Sequence, residues 1–125
     1  MIHTISTGDN FHCILTNDKL KLDSDAPLFK GGLGNGFRPH ELLEGALASC
    51  ISISIRMIAK EKNIILDKVE THVEIEKSNK KTTFKYKIIL DNNLSLIDKN
   101  YLMNIIDLYA VKQTLSKQLE FKQIE

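Results

Sequence analysis

The strongest periodic signal in the chain runs through residues 39–62. Leu43, Ala46, Leu47, Cys50, Ile53, Ser54 and Met57 recur at helical spacing and form one stripe, with Ser54 its only polar member. Leu42, Ile51, Ile55 and Ile58 widen the apolar surface. The spacing predicts a long helix beginning near Pro39, whose missing N–H costs nothing in a first turn, and ending near Lys62 and Asn63. A helix this apolar is expected to be mostly buried, through the core or at a subunit interface.

The rest of the chain alternates with a shorter period. Phe11, Cys13 and Leu15 predict a strand, and residues 19–22 a second one, each bounded by Asn, Asp, Ser or Pro turn chemistry. Residues 31–36 are too rich in glycine for a helix or a regular strand and form a loop. Val69, Thr71, Val73 and Ile75 share one parity, and Phe84, Tyr86, Ile88 and Leu90 share another across the polar residues 76–81, which predicts a hairpin. Beyond Asn92 and Asn93, Ser95 or Asp98 is placed to cap a helix carrying Tyr101, Leu102, Ile105, Ile106 and Leu108. A shorter helical turn over residues 111–119 then leads into an expected final strand at residues 119–124. Strands do not alternate regularly with helices, so the order favours an α+β fold over a doubly wound parallel sheet.

Composition narrows the functional classes. A chain of 125 residues without repeats or linkers suits a single domain, residues 1–125. A formal net charge of +1 argues against a dedicated nucleic-acid binder. The densest apolar run, residues 51–59, falls short of the ~20 apolar residues of a membrane span. The N-terminus carries neither a basic nor an apolar signal region, so a cytoplasmic setting with Cys13 and Cys50 reduced is expected. Asn93-Leu94-Ser95 matches a glycosylation acceptor but reads as a turn.

Candidate chemistry is sparse. The glycine loop lacks the spacing of either phosphate-binding motif, which leaves close backbone approach as its reading. His3, His12, His40 and His72 are scattered and no paired-cysteine or His-Glu motif accompanies them, so neither a metal nor another cofactor is expected. Ser49, Ser52 and Ser54 lack a nucleophile elbow and are expected to bond back to the preceding helical turn. Cys50 lies about three turns into the long helix, where a lone cysteine is more often inert core than nucleophile.

The run Gly31-Gly32-Leu33-Gly34-Asn35-Gly36, then Pro39, Glu41-Leu42-Leu43 and Ala46-Leu47-Ala48-Ser49-Cys50, resembles the OsmC/Ohr superfamily. Ile64-Ile65-Leu66-Asp67-Lys68-Val69-Glu70 and Val111-Lys112-Gln113-Thr114-Leu115-Ser116 extend the resemblance over essentially the whole chain. It implies an intertwined α+β homodimer, with long central helices buried between antiparallel sheets. It also implies a thiol-dependent peroxidase of oxidative-stress defence that reduces organic hydroperoxides. In such enzymes the cysteine aligned with Cys50 becomes a sulfenic acid, a second cysteine resolves it, and an arginine and a glutamate tune the first thiol.

This chain departs from that pattern in three places. Tyr109-Ala110-Val111 stands where Cys-Pro-Val is usual, so the resolving cysteine is missing. His40 follows the helix-start proline where glutamate is frequent, and no arginine precedes Arg38. Arg38, His40, Glu41 and Tyr109 are the candidate pocket residues, although along a helix the first three precede Cys50 by roughly 13–18 Å. Two readings follow. Cys50 acts as a one-cysteine peroxidase with a hydroperoxide substrate and an external thiol reductant, or a non-catalytic dimer keeps the fold as a small-molecule-binding or accessory protein.

Overall fold

The computed structural model describes residues 1–105 and 108–125. The elements are β1 (His3–Ser6), β2 (Cys13–Thr16), β3 (Lys21–Ser24), a 3-10 turn (Leu28–Lys30), α1 (Pro39–Glu61), β4 (Val69–Lys77), β5 (Thr82–Leu90), α2 (Leu96–Asn104) and α3 (Ala110–Leu115). Both sheets are antiparallel, and the fold is α+β. The chain divides into two compact units, Met1–Leu43 and Glu44–Glu125.

The N-terminal unit is a three-stranded meander, β1-β2-β3. Its second and third strands begin two residues later than the alternation predicts. Residues 17–20 are consumed by a turn, in which the Asn17 side chain accepts from the backbone N–H groups of Lys19 and Leu20 and Asp18 takes a positive φ of 73°. β1 is a strand that the sequence reading did not single out.

The glycine loop confirms its structural reading. A Cβ on Gly32 would lie 1.9 Å from the Ala26 carbonyl oxygen, a distance no side chain tolerates. The loop is organised by Asp25, only 2% exposed, whose carboxylate accepts from the backbone N–H groups of Ala26, Leu33 and Asn35. Burial pushes its pKa up from the ordinary 3.8, but the three N–H donors outweigh burial and hold it lower. A carboxyl with a depressed pKa contributes stability above its ordinary titration range and loses it as pH falls through the folded value. Acidification below about pH 4 is therefore expected to lower the hydrogen-exchange protection factors of the Leu33 and Asn35 amides, taken relative to the intrinsic rate at each pH. Asp25→Asn should show the lowered protection at every pH; a loop whose protection is indifferent to both changes would refute this role.

In the C-terminal unit α1 packs on the β4–β5 hairpin. The register pairs Val69 with Leu90, Thr71 with Ile88, Val73 with Tyr86 and Ile75 with Phe84, as the two parities require. Leu47, Ile51, Ile55 and Ala59 form the buried line of α1, meeting Leu66, Leu90, Leu102 and Tyr109. Of the stripe read from the sequence, only Leu47 belongs to this line, with Cys50 packed against it. That stripe lies roughly a quarter turn round the helix, and its Ile53 and Met57 are 59% and 66% exposed. The helix is apolar over more than half its circumference, so periodicity leaves the covered face open. The hairpin selects it: Ile75 N–H donates to Glu44 at 2.8 Å, Ser52 bonds Thr71 at 2.8 Å, and Arg56 donates to the carbonyls of Leu66 and Asp67.

As a whole, α1 is long and apolar enough to cross a membrane, a criterion that residues 51–59 alone do not meet. Its polar side chains Glu44 and Ser52 are anchored to the hairpin, and Arg56 to the segment that leads into it. Ser95, rather than Asp98, caps α2 by accepting from the Asp98 N–H, which also accounts for the Asn93-Leu94-Ser95 turn. Ile106 lies outside the described residues, and Leu108 follows the helix and is 67% exposed. The final strand expected at residues 119–124 is absent: this segment has no regular structure, and Phe121 is 92% exposed. Alternating side chains do not make a strand without a neighbouring edge to complete its backbone ladder.

Candidate functional site around Cys50

α1 presents Cys50 beside the start of α3. The thiol is free and half-buried. Its Sγ accepts from the Val111 backbone N–H at 3.5 Å and lies 4.0 Å from Ser54 Oγ, one helical turn on. Val111 is in the first turn of α3, where backbone N–H groups have no acceptor within their own helix. The sulfur thus occupies a position where a backbone donor is available to it.

Tyr109, immediately before α3, is 1% exposed. Its hydroxyl is buried and makes no hydrogen bond among the described residues. Burial first, then the nearby Tyr86 and Cys50, push the phenol pKa up to about 12, so the group remains a neutral O–H donor at physiological pH. Tyr86 in turn carries the Lys112 ammonium 5.9 Å from its ring centre.

The candidate residues therefore come together as two groups. Cys50 and Tyr109 belong to the C-terminal unit. Arg38 and Glu41 belong to the N-terminal unit and hold one another: the guanidinium donates through Nε at 3.0 Å and Nη2 at 2.8 Å to one carboxylate oxygen. The other oxygen accepts the Arg38 backbone N–H at 2.8 Å, which caps α1. The Arg38 side-chain hydrogen bond, reinforced by its backbone N–H, keeps the Glu41 carboxyl below its usual range. His40 is exposed.

Sequence reasoning missed the Val111 N–H. It had no signal to find, since every residue but proline carries such a donor, and only folding decides which one meets a sulfur. The spacing of Ser54 four residues beyond Cys50 did carry a signal, because such pairs share a helix face. Ser49 bonds back to the Ala46 carbonyl as expected. Among the described residues no three His, Cys, Asp or Glu side chains gather as a metal site would require. In the N-terminal unit, Thr7, His12 and Asp23 form a chain of two 2.8 Å contacts. Thr7 Oγ1 is also engaged with the His12 carbonyl and the Asp9 N–H, so this chain ties the β1–β2 turn to β3.

Known proteins place the chain firmly. The OsmC-like protein of Mycoplasma pneumoniae superposes with a TM-score of 0.71 at 18% identity, over 92% of this chain and 85% of that one. An organic hydroperoxide resistance protein OsmC of Legionella pneumophila gives 0.66 at 21% identity, over 93% and 88%. The organic hydroperoxide resistance protein OhrB of Bacillus subtilis gives 0.61 at 21% identity, over 93% and 89%. At such identities the likeness is one of fold. No curated protein is detectably similar in sequence. The family model OsmC, OsmC-like protein, matches residues 32–122, which includes all but the first residue of the glycine loop, all of α1 and the Tyr109 segment. The chain belongs to the OsmC-like protein family.

Proposed function

We propose that this protein is a one-cysteine, thiol-dependent peroxidase that reduces organic hydroperoxides in a reducing cytoplasm. The Cys50 thiolate attacks the terminal oxygen of the hydroperoxide, the O–O bond breaks, and the alcohol leaves with the proton. Cys50 is then a sulfenic acid. An external dithiol reduces it in two steps, through a mixed disulfide, and yields water, the cyclic or intramolecular disulfide of the reductant, and the free thiol. The observation that carries this reading is the Cys50 sulfur, half-buried and accepting a backbone N–H, at the position the family resemblance assigns to the reactive cysteine. Names of structural neighbours that refer to hydroperoxide resistance support it. The test is consumption of cumene hydroperoxide with dithiothreitol. Turnover well above the uncatalysed rate is expected; none would favour the non-catalytic binding protein.

The same proposal includes a homodimer. Ile53 and Met57 leave an apolar face of α1 uncovered, and with Arg56, Ala59, Lys60, Ile64 and Leu66 they line an open groove of about 490 Å³. A second copy would bury that face. Met57→Lys is expected to shift the protein from dimer toward monomer in light scattering. A native protein that is monomeric at micromolar concentration would refute the dimer.

A further inference from the structure

We propose that Tyr109 receives the oxygen that oxidation places on Cys50, its hydroxyl donating a hydrogen bond to the sulfenic oxygen and protecting it where a resolving thiol is missing. The inference rests on the peroxidase reading and assigns the protection of its intermediate.

The argument begins with an unmet requirement. Buried tyrosine hydroxyls almost always have a partner, because an unmade hydrogen bond away from water is costly. In this reduced protein the Tyr109 hydroxyl has none among the described residues, although Tyr109 is only 1% exposed. Its immediate surroundings are identifiable. Two residues on, the Val111 N–H bonds the Cys50 sulfur, and Cys50 packs against the buried cluster to which Tyr109 belongs. An oxygen atom added to that sulfur brings the acceptor that the hydroxyl lacks.

The chemistry makes such a donor useful. Cys13, the other cysteine of the chain, lies on β2, whereas residues 109–111 carry no cysteine. In the one-cysteine reaction proposed above, the sulfenic acid has to survive until an external dithiol arrives. Its hazard is a second hydroperoxide: the sulfenate sulfur attacks the terminal oxygen, a second S–O bond forms, the O–O bond breaks, and a sulfinate and an alcohol result. Donation from Tyr109 draws electron density toward the oxygen and away from sulfur, which slows that attack. It leaves the sulfur electrophilic toward the dithiol. Phenylalanine at this position would keep the ring and its packing and remove only the donor.

The experiment compares native protein with Tyr109→Phe during titration with cumene hydroperoxide. Intact mass gives the one-oxygen and two-oxygen forms of Cys50, with dimedone trapping the sulfenic acid. The hydroperoxide dose that converts half of Cys50 to sulfinate is expected to fall about tenfold in the variant, the factor one charge-assisted hydrogen bond supplies. A sulfenic acid that forms in both proteins with equal doses to sulfinate would overturn the role of Tyr109 and leave the peroxidase standing. Native protein that never gives a dimedone adduct would overturn both. A readout independent of the variant is the carbon-13 resonance of the Tyr109 ring carbon bearing oxygen in native protein. It should move when Cys50 is oxidised, and an unchanged resonance would count against the contact.

Discussion

Cys50→Ser is expected to lower hydroperoxide consumption to the rate of the peroxide with dithiol alone, a loss on the order of 10³-fold or more, as for other enzymes deprived of their nucleophile. Serine is the informative replacement. It fits the volume of the half-buried thiol, and its oxygen can accept the Val111 N–H that now bonds the sulfur at 3.5 Å. It stays protonated near neutrality, so it offers no anionic nucleophile and cannot accept an oxygen from the peroxide. Cys50 packs at the margin of the buried cluster, so the variant should fold. A serine variant that consumes cumene hydroperoxide at the native rate would remove Cys50 from the reaction and leave the binding-protein reading.

The largest expected effect on stability is at Ile51. Its side chain is fully enclosed midway along the buried line of α1, between Leu47 and Ile55. Truncation to alanine removes three carbons from a site where surrounding helices and hairpin cannot close in, and large-to-small changes of this kind cost about 2–5 kcal/mol. For a chain of this size that is a fall in Tm on the order of 10 °C. Ile65, in the loop after α1, is 85% exposed, and its alanine variant should stay within about 0.5 kcal/mol of native. Thermal unfolding of the two variants side by side checks the assignment of the core. Equal midpoints would mean that the enclosed line of α1 is not where the stability resides.

The contrast between these two isoleucines marks where sequence reasoning reached its limit. Both are equally apolar, and no local pattern says that one is enclosed and the other wet. The hairpin was legible because strand alternation has a period of two, which fixes a shared face once the turn is located. The helix was legible as a helix, but not as to its face. Apolar residues surround most of α1, and the line that became core was selected by what packed on it, through Glu44, Ser52 and Arg56. The expected strand at residues 119–124 failed for a related reason. Side-chain alternation was present, and no strand among the described residues of the same chain pairs with it.

The candidate site divides the same way. Cys50, Tyr109, Arg38 and Glu41 were all named from sequence. The spacing of Arg38 and Glu41 within one helical turn already predisposed them to pair, as they do. Nothing local linked Cys50 to residues 109–111, which lie some sixty positions further along the chain.

From composition and order alone come the element types, the glycine loop, the missing second cysteine and the family signature, since these depend on near neighbours and short periods. Folding had to decide which side of α1 is dry, which backbone N–H meets the sulfur, and that a phenol is sealed in with its hydroxyl unpaired among the described residues. Those are meetings between distant segments, and their geometry is set by how helix and hairpin pack rather than by any residue's local preference.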